Sequence, residues 1–131
     1  MSQFDTVLLE SGFEPNQCAC KSCQRMCRHT PCMGTPEDIA KLVDAGHLNR
    51  LEVTVWMAGV EHGHPPTTML QPRYEEDRGR CTFLTEAGLC ELHESGLKPT
   101  EGKLATCDRS KIVTPDNHPA FIIAKIWRNA R

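Results

Sequence analysis

Five cysteines fall in one short stretch, Cys18-Ala-Cys20-Lys-Ser-Cys23-Gln-Arg-Met-Cys27-Arg-His-Thr-Pro-Cys32, and three more follow at Cys81, Cys90 and Cys107. Eight thiols in 131 residues have two stable fates: oxidation to disulfides, or coordination of a soft metal as thiolates. The spacing favours the metal. Cys20-x2-Cys23 lets two thiolates grip one ion from a tight turn, and distal cysteines can complete a tetrahedron. Cys27 and Cys32 stand nearby, while Cys81, Cys90 and Cys107 supply a distal set. All eight are therefore candidate ligands, enough for two four-thiolate sites or for one cluster with ligands to spare. Zinc and iron–sulfur centres use the same donors, so both stay open as the cofactor.

Redox compartment supports the same choice. The opening Met-Ser-Gln-Phe-Asp-Thr-Val has no basic start, no apolar run of signal length and no small-residue cleavage site. No stretch approaches the ~18 apolar residues of a membrane span. The expectation is a cytoplasmic chain with no membrane association, where thiols are kept reduced and dense cysteine patterns bind metal or do catalysis. A net charge of −2 and a pI near 6.3 argue against a nucleic-acid-binding surface. Lys21, Arg25 and Arg28, inside the cysteine stretch, are better placed to offset thiolate charge.

Competing readings of individual residues are plain. Cys20 and Cys23 could be a redox dithiol, but that motif usually follows a strand and opens a helix, and no strand pattern precedes it. Cys90, between Leu89 and a nearby Leu92, could be an inert core thiol. His93 has Cys-x2-His spacing from Cys90, against a simple reading as a polar residue at a strand end. His29 reads as a neighbour of the ligands, and His62 and His64 as part of a solvated loop. Glu75, Glu76 and Asp77 read as a solvated turn. Trp56, Trp127 and the stripe from Phe121 to Trp127 read as core packing. No nucleophilic triad, phosphate loop or paired-carboxylate motif appears.

The elements that must position these residues are short. Residues 1–17 read as a loosely attached N-terminal arm, and 18–131 as one cysteine-rich domain. Thr35-Pro36-Glu37-Asp38 is a helix start: a capping hydroxyl, proline at the first position, and acids facing the positive end of the dipole. Ile39, Leu42 and Val43 continue it, and Gly46 ends it. Val53, Val55 and Met57 alternate with Thr54 and Trp56 as in a strand. Thr68 to Pro72 forms a second short strand after a Gly/Pro loop. Cys81 to Leu84 and Leu89 to His93 flank Thr85-Glu-Ala-Gly88 and read as a hairpin carrying Cys81 and Cys90 toward one site. A turn or short helix from Pro99 delivers Cys107, and residues 119–129 form a last helix. Aromatics are only 5% of the chain and mean hydropathy is −0.44, so a core this lean gains from a metal cross-link.

The cysteine block, the Thr-Pro-Glu-Asp helix start, Gly79-Arg-Cys81-Thr-Phe-Leu84, Gly88-Leu-Cys90-Glu-Leu-His93, Lys98-Pro99 and the late Cys107 together resemble the YkgJ-type CxxCxxCC family. Its members are described as zinc- or iron-chelating proteins. The resemblance spans residues 18–107 and implies Cys23, Cys32, Cys81, Cys90 and Cys107 as ligands. This chain departs from the family pattern in Cys20-x2-Cys23-x3-Cys27 and in having Lys98 before Pro99. A similar block in a flagellin lysine methylase implies that an iron–sulfur accessory role is compatible with the pattern.

The expected fold is a small α+β, metal-stapled domain. It has a central β-hairpin or short antiparallel sheet, a Cys-rich N-terminal loop and two or three short helices. The expected function is metal binding through cysteine thiolates, chiefly organising the fold, with a protein partner accommodated by the loop between Ala58 and Glu76. The alternatives are an iron–sulfur redox or radical enzyme or its accessory subunit, and a metal delivery protein.

Overall fold

In the computed structural model, residues 2–15, 31–104 and 117–130 are described. Their order is α1 (Gln3–Ser11), α2 (Pro36–Asp44), β1 (Leu51–Trp56), β2 (Thr67–Pro72), β3 (Tyr74–Glu75), β4 (Arg80–Cys81), α3 (Thr100–Leu104) and α4 (Pro119–Asn129). Short 3-10 turns at Leu48–Arg50 and Val60–His62 bracket β1. The class is α+β, with two small antiparallel sheets, β1–β2 and β3–β4.

Local signals account for the helix starts. At α2 the Thr35 hydroxyl accepts from the Asp38 N–H and the Asp38 side chain accepts from the Thr35 N–H, a reciprocal capping box with Pro36 inside the first turn. Ser2 and Asp5 build the same device at α1. Gly12 closes α1 in the left-handed region at φ 73°, its N–H donating to the Leu8 carbonyl, a conformation that a Cβ would penalise. The stretch expected to be a loosely attached arm is thus a capped helix whose Val7 is fully buried. The sequence hid this because α1 packs on α4, which lies far away in the chain. Gln3 and Glu37 add a tie between the first turns of α1 and α2.

The β1–β2 sheet separates two apolar clusters. Trp56 lies opposite Thr67 and Thr54 opposite Met69 on one face, while Leu51 and Leu70 belong to the other. The first cluster holds Val7, Met33, Met69, Leu104, Ile122 and Ile123, with Trp56 and Phe121 against it. The second holds Ile39, Leu42, Phe83, Leu84 and Leu92 together with cysteines. Trp127 packs on both clusters, and its indole N–H donates to the Gly34 carbonyl at 2.8 Å. The α4 stripe is core packing, as its periodicity predicted: Ala120, Ile122, Ile123 and Ala124 are buried. On β1, by contrast, the aliphatic residues of the alternation face outward, Val53 being 69% and Val55 54% exposed. The bulkier Trp56 takes the inward side.

The hairpin expected to pair the Cys81 and Cys90 segments is different in detail. Cys81 lies on β4 opposite Tyr74, whereas Cys90 makes a single antiparallel bridge to Leu84. Thr85 N–H to Leu89 O at 2.8 Å and Glu91 N–H to Phe83 O at 2.9 Å hold that turn. Gly88 supplies its positive φ of 83°. With so few residues between Leu84 and Cys90, the chain closes a compact turn instead of two full strands.

Candidate metal-binding site

Three candidate ligands, Cys32, Cys81 and Cys90, lie among the described residues, all in or against the second apolar cluster. Cys32 and Cys81, each 4% exposed, are members of the second cluster, and Cys90 is half-buried against it. Cys32 reaches it from the segment leading into α2, Cys81 from β4, and Cys90 from the turn beyond Leu84. Cys81 and Cys90 each open a tight turn: the Leu84 N–H donates to the Cys81 carbonyl at 3.0 Å, and the His93 N–H to the Cys90 carbonyl at 3.1 Å. Cys18, Cys20, Cys23, Cys27 and Cys107 lie outside the described residues. Among the described residues, no three His, Cys, Asp or Glu side chains form a group that could hold a metal ion.

The segment that leads to Cys107 is pressed against Cys32. A Cβ on Gly102, in α3, would stand 3.0 Å from the Cys32 Sγ and 3.1 Å from Lys98 Cε. Glycine therefore lets the helix backbone approach the thiol. Two clasps fix this contact. The Glu101 N–H donates to the Met33 carbonyl at 3.0 Å, and the Met33 N–H donates to Glu101 Oε1 at 2.8 Å. One residue earlier, at Thr100, Asp38 Oδ2 accepts from the Thr100 N–H and hydroxyl as well as from the Thr35 N–H, the two N–H bonds both 2.9 Å long. One buried carboxyl group thus caps α2 and anchors the start of α3.

Arg50 ties the two other cysteine segments together. It donates to the Thr82 carbonyl at 2.7 Å, lies 4.1 Å from the Phe83 ring centroid and pairs with Glu91. Thr82 follows Cys81 and Glu91 follows Cys90, so one guanidinium bridges the residues beside both thiols. Next to Cys81, Arg80 buries an Nε with no hydrogen-bond partner.

None of Arg50, Asp38, Glu101 or Gly102 stood out as a site residue in the sequence. Asp38 alone carried a signal, as a capping acid, and that signal covered only its local half. His93 is exposed, and His29 lies outside the described residues. Glu75 is half-buried rather than fully solvated. Its hydrogen bond from Arg78, 2.6 Å long, holds its carboxyl below the usual range. Trp56 and Trp127 are partly buried in the core, as expected.

Glu101 also sets a pH dependence. Burial pushes its carboxyl from an ordinary 4.5 up to about 7, against the smaller opposing pull of the Met33 N–H. A carboxyl raised on folding stabilises the folded state fully below its unfolded value, and that stability is lost as pH rises through the folded value. Between pH 4.5 and 8 this single group is expected to cost on the order of 3 kcal/mol of stability. Denaturant titrations of wild type and Glu101→Gln across that range measure it. The two stability curves should converge at acid pH relative to their separation at pH 8, and parallel curves would refute the assignment. His118, the other titratable side chain near this carboxyl, is held below its ordinary value by burial. Its Nδ1 accepts from the Ala120 N–H at 3.0 Å as the cap of α4.

The chain matches no family model, no curated protein and no solved structure. Among the described residues no helix is long and apolar enough to cross a membrane.

Proposed function

We propose that this protein binds zinc or an iron–sulfur cluster through cysteine thiolates, and that the bound centre organises the fold. What supports the reading is the chain's eight cysteines, three of which, Cys32, Cys81 and Cys90, come from separate segments to lie in or against one apolar cluster. The donor chemistry fits: thiolates are the ligands that both structural zinc sites and iron–sulfur centres use. Cys32, Cys81 and Cys90 would supply part of the ligand set, with the remainder drawn from Cys18, Cys20, Cys23, Cys27 and Cys107. The contact between Gly102 and Cys32 supports a role for Cys107, because it brings the preceding helix up to the Cys32 thiol.

A metal bound there stabilises the folded chain, since the unfolded chain has no preformed site. The chain's own residues do the positioning. Asp38 and Glu101 hold α3 against the Cys32 segment, and Arg50 holds the Cys81 and Cys90 turns in register. The reading extends the resemblance to the YkgJ-type family, which rests on the motifs alone.

Protein purified without oxygen is expected to carry stoichiometric zinc, or iron with acid-labile sulfide and visible absorption. Elemental analysis, sulfide assay and an absorption spectrum on one preparation decide between the two. Protein free of both metals would end the proposal.

A further inference from the structure

Among the described residues, no strand pairs with the outer edge of β1, and the groups along that edge are self-complementary. Leu51 lies opposite Pro72, and one step earlier the Arg73 N–H donates to the Arg50 carbonyl at 2.9 Å. Hydrogen-bonded and non-hydrogen-bonded pairs alternate along an antiparallel ladder. Glu52, Thr54 and Trp56 therefore bond to β2, while Leu51, Val53 and Val55 turn their amide groups away from it. Pro72, which has no N–H, stands opposite Leu51 as this phase requires. The N–H and carbonyl groups of Val53 and Val55 have no hydrogen-bond partner among the described residues. Thr54 to Ala58, without a gap, line a cleft of about 490 Å³, so open space reaches the strand backbone as well as one of its faces.

Nothing in β1 blunts this edge. It carries no proline, no lysine and no bulge, which are devices that keep edge strands from pairing. The strand β2, in contrast, ends at Pro72, and α2 and α4 pack on it. Val53 and Val55 share one side of β1, and they are exposed, as is Met57 beyond them. The open edge thus has an apolar flank.

We propose that β1 pairs with β1 of a second copy of this chain, antiparallel about a two-fold axis at Thr54, to make a four-stranded sheet. In this register Val53 lies opposite Val55 of the second copy, and each such pair exchanges two backbone hydrogen bonds. The ends match as well. The Leu51 N–H is already taken by the Leu48 carbonyl, and the Met57 carbonyl by the Val60 N–H at 3.1 Å. Those two groups face each other across the axis, so neither strands a partner. The side chains agree: Val53 meets Val55, Thr54 meets Thr54, and Glu52, the one charged residue of β1, faces Trp56 instead of another acid. An unrelated strand would gain the ladder bonds without this matching of ends and charges.

Sedimentation equilibrium of the full chain as purified, with reductant present so that no disulfide contributes, is the test. A reversible monomer–dimer equilibrium with Kd below about 1 mM is expected. Val53→Lys places two ammonium groups diagonally across the axis and should raise Kd at least ten-fold. Val55→Pro removes an N–H that the chain itself does not use and should do the same. Amide exchange locates the contact: Val53 and Val55 should gain protection only as concentration rises, whereas Thr54 is protected throughout. A monomer at about 1 mM, or a dimer indifferent to both variants, would overturn the proposal. So would Val53 and Val55 amides protected equally in dilute monomer, which would mean that another segment of the same chain or a foreign peptide holds the edge. Should Val55→Pro not fold, Val53→Lys, at an exposed position, still decides. Neither readout involves the cysteines.

Discussion

Cys81→Ser is expected to abolish stoichiometric metal and to lower stability by about 4 kcal/mol or more. The magnitude follows from structural zinc sites, whose apparent binding free energy is on the order of 10 kcal/mol and belongs to folding. The position makes one control necessary. Cys81 is 4% exposed in an apolar cluster, so a serine hydroxyl there would cost roughly 1–3 kcal/mol even if no metal were present. Cys81→Ala separates the two causes. As a mere core thiol, its loss should cost about 1 kcal/mol, the transfer of one small buried group plus a minor cavity. As a ligand, its loss should be nearly as damaging as the serine change and should empty the site equally. The measurements are anaerobic metal content and thermal or denaturant unfolding on both variants. An alanine variant with full metal occupancy and near-native stability would remove Cys81 from the ligand set.

Asp38→Ala is expected to cost about 4 kcal/mol without touching any thiol. The substitution removes a helix cap worth roughly 1 kcal/mol. It also strands the Thr100 N–H and hydroxyl in a buried site, at roughly 1–3 kcal/mol each. Thr100 is fully buried, so water cannot easily replace the lost acceptor. Because α3 would lose its anchor beside Gly102, the Cys32 contact should loosen as well, and metal should exchange faster with a competing chelator. Asp38→Asn keeps one acceptor oxygen and should recover part of the loss. Denaturant unfolding of the two variants gives the test: an alanine variant within about 1 kcal/mol of wild type would show that the bridge to Thr100 carries little weight.

These two expectations concern different kinds of contact. In the proposed reading, Cys81 would matter through an inorganic centre that joins segments by sulfur. Asp38 matters through three hydrogen bonds converging on one oxygen. The second supports the first, because the element it anchors is the one pressed against Cys32.

Much of the secondary structure was legible in the sequence because its determinants are local. The helices beginning at Pro36 and Pro119 follow from a cap and a proline within a few residues of each other, and interactions at three-residue spacing can be read from a string of letters. β1 followed from alternation in the same way, and β2 was expected after the Gly/Pro loop that precedes it. The thiol count and the spacing of Cys20 and Cys23 set an expectation of soft-donor chemistry, and both residues lie outside the described part of the chain.

The chain path alone decided the rest. It set which face of β1 is buried, since alternation gives two faces and only the packing of Trp56 against α4 selects one. It turned a supposed arm into a packed helix. It also made Asp38 a bridge to Thr100, brought Glu101 under Met33, and placed Arg50 beside both Thr82 and Glu91. Each of these contacts joins residues distant along the chain, and burial, which gives them their energetic weight, is a property of the assembled fold. A sequence specifies donors and their local spacing; the approach of distant donors is set by packing, which no short window of residues contains.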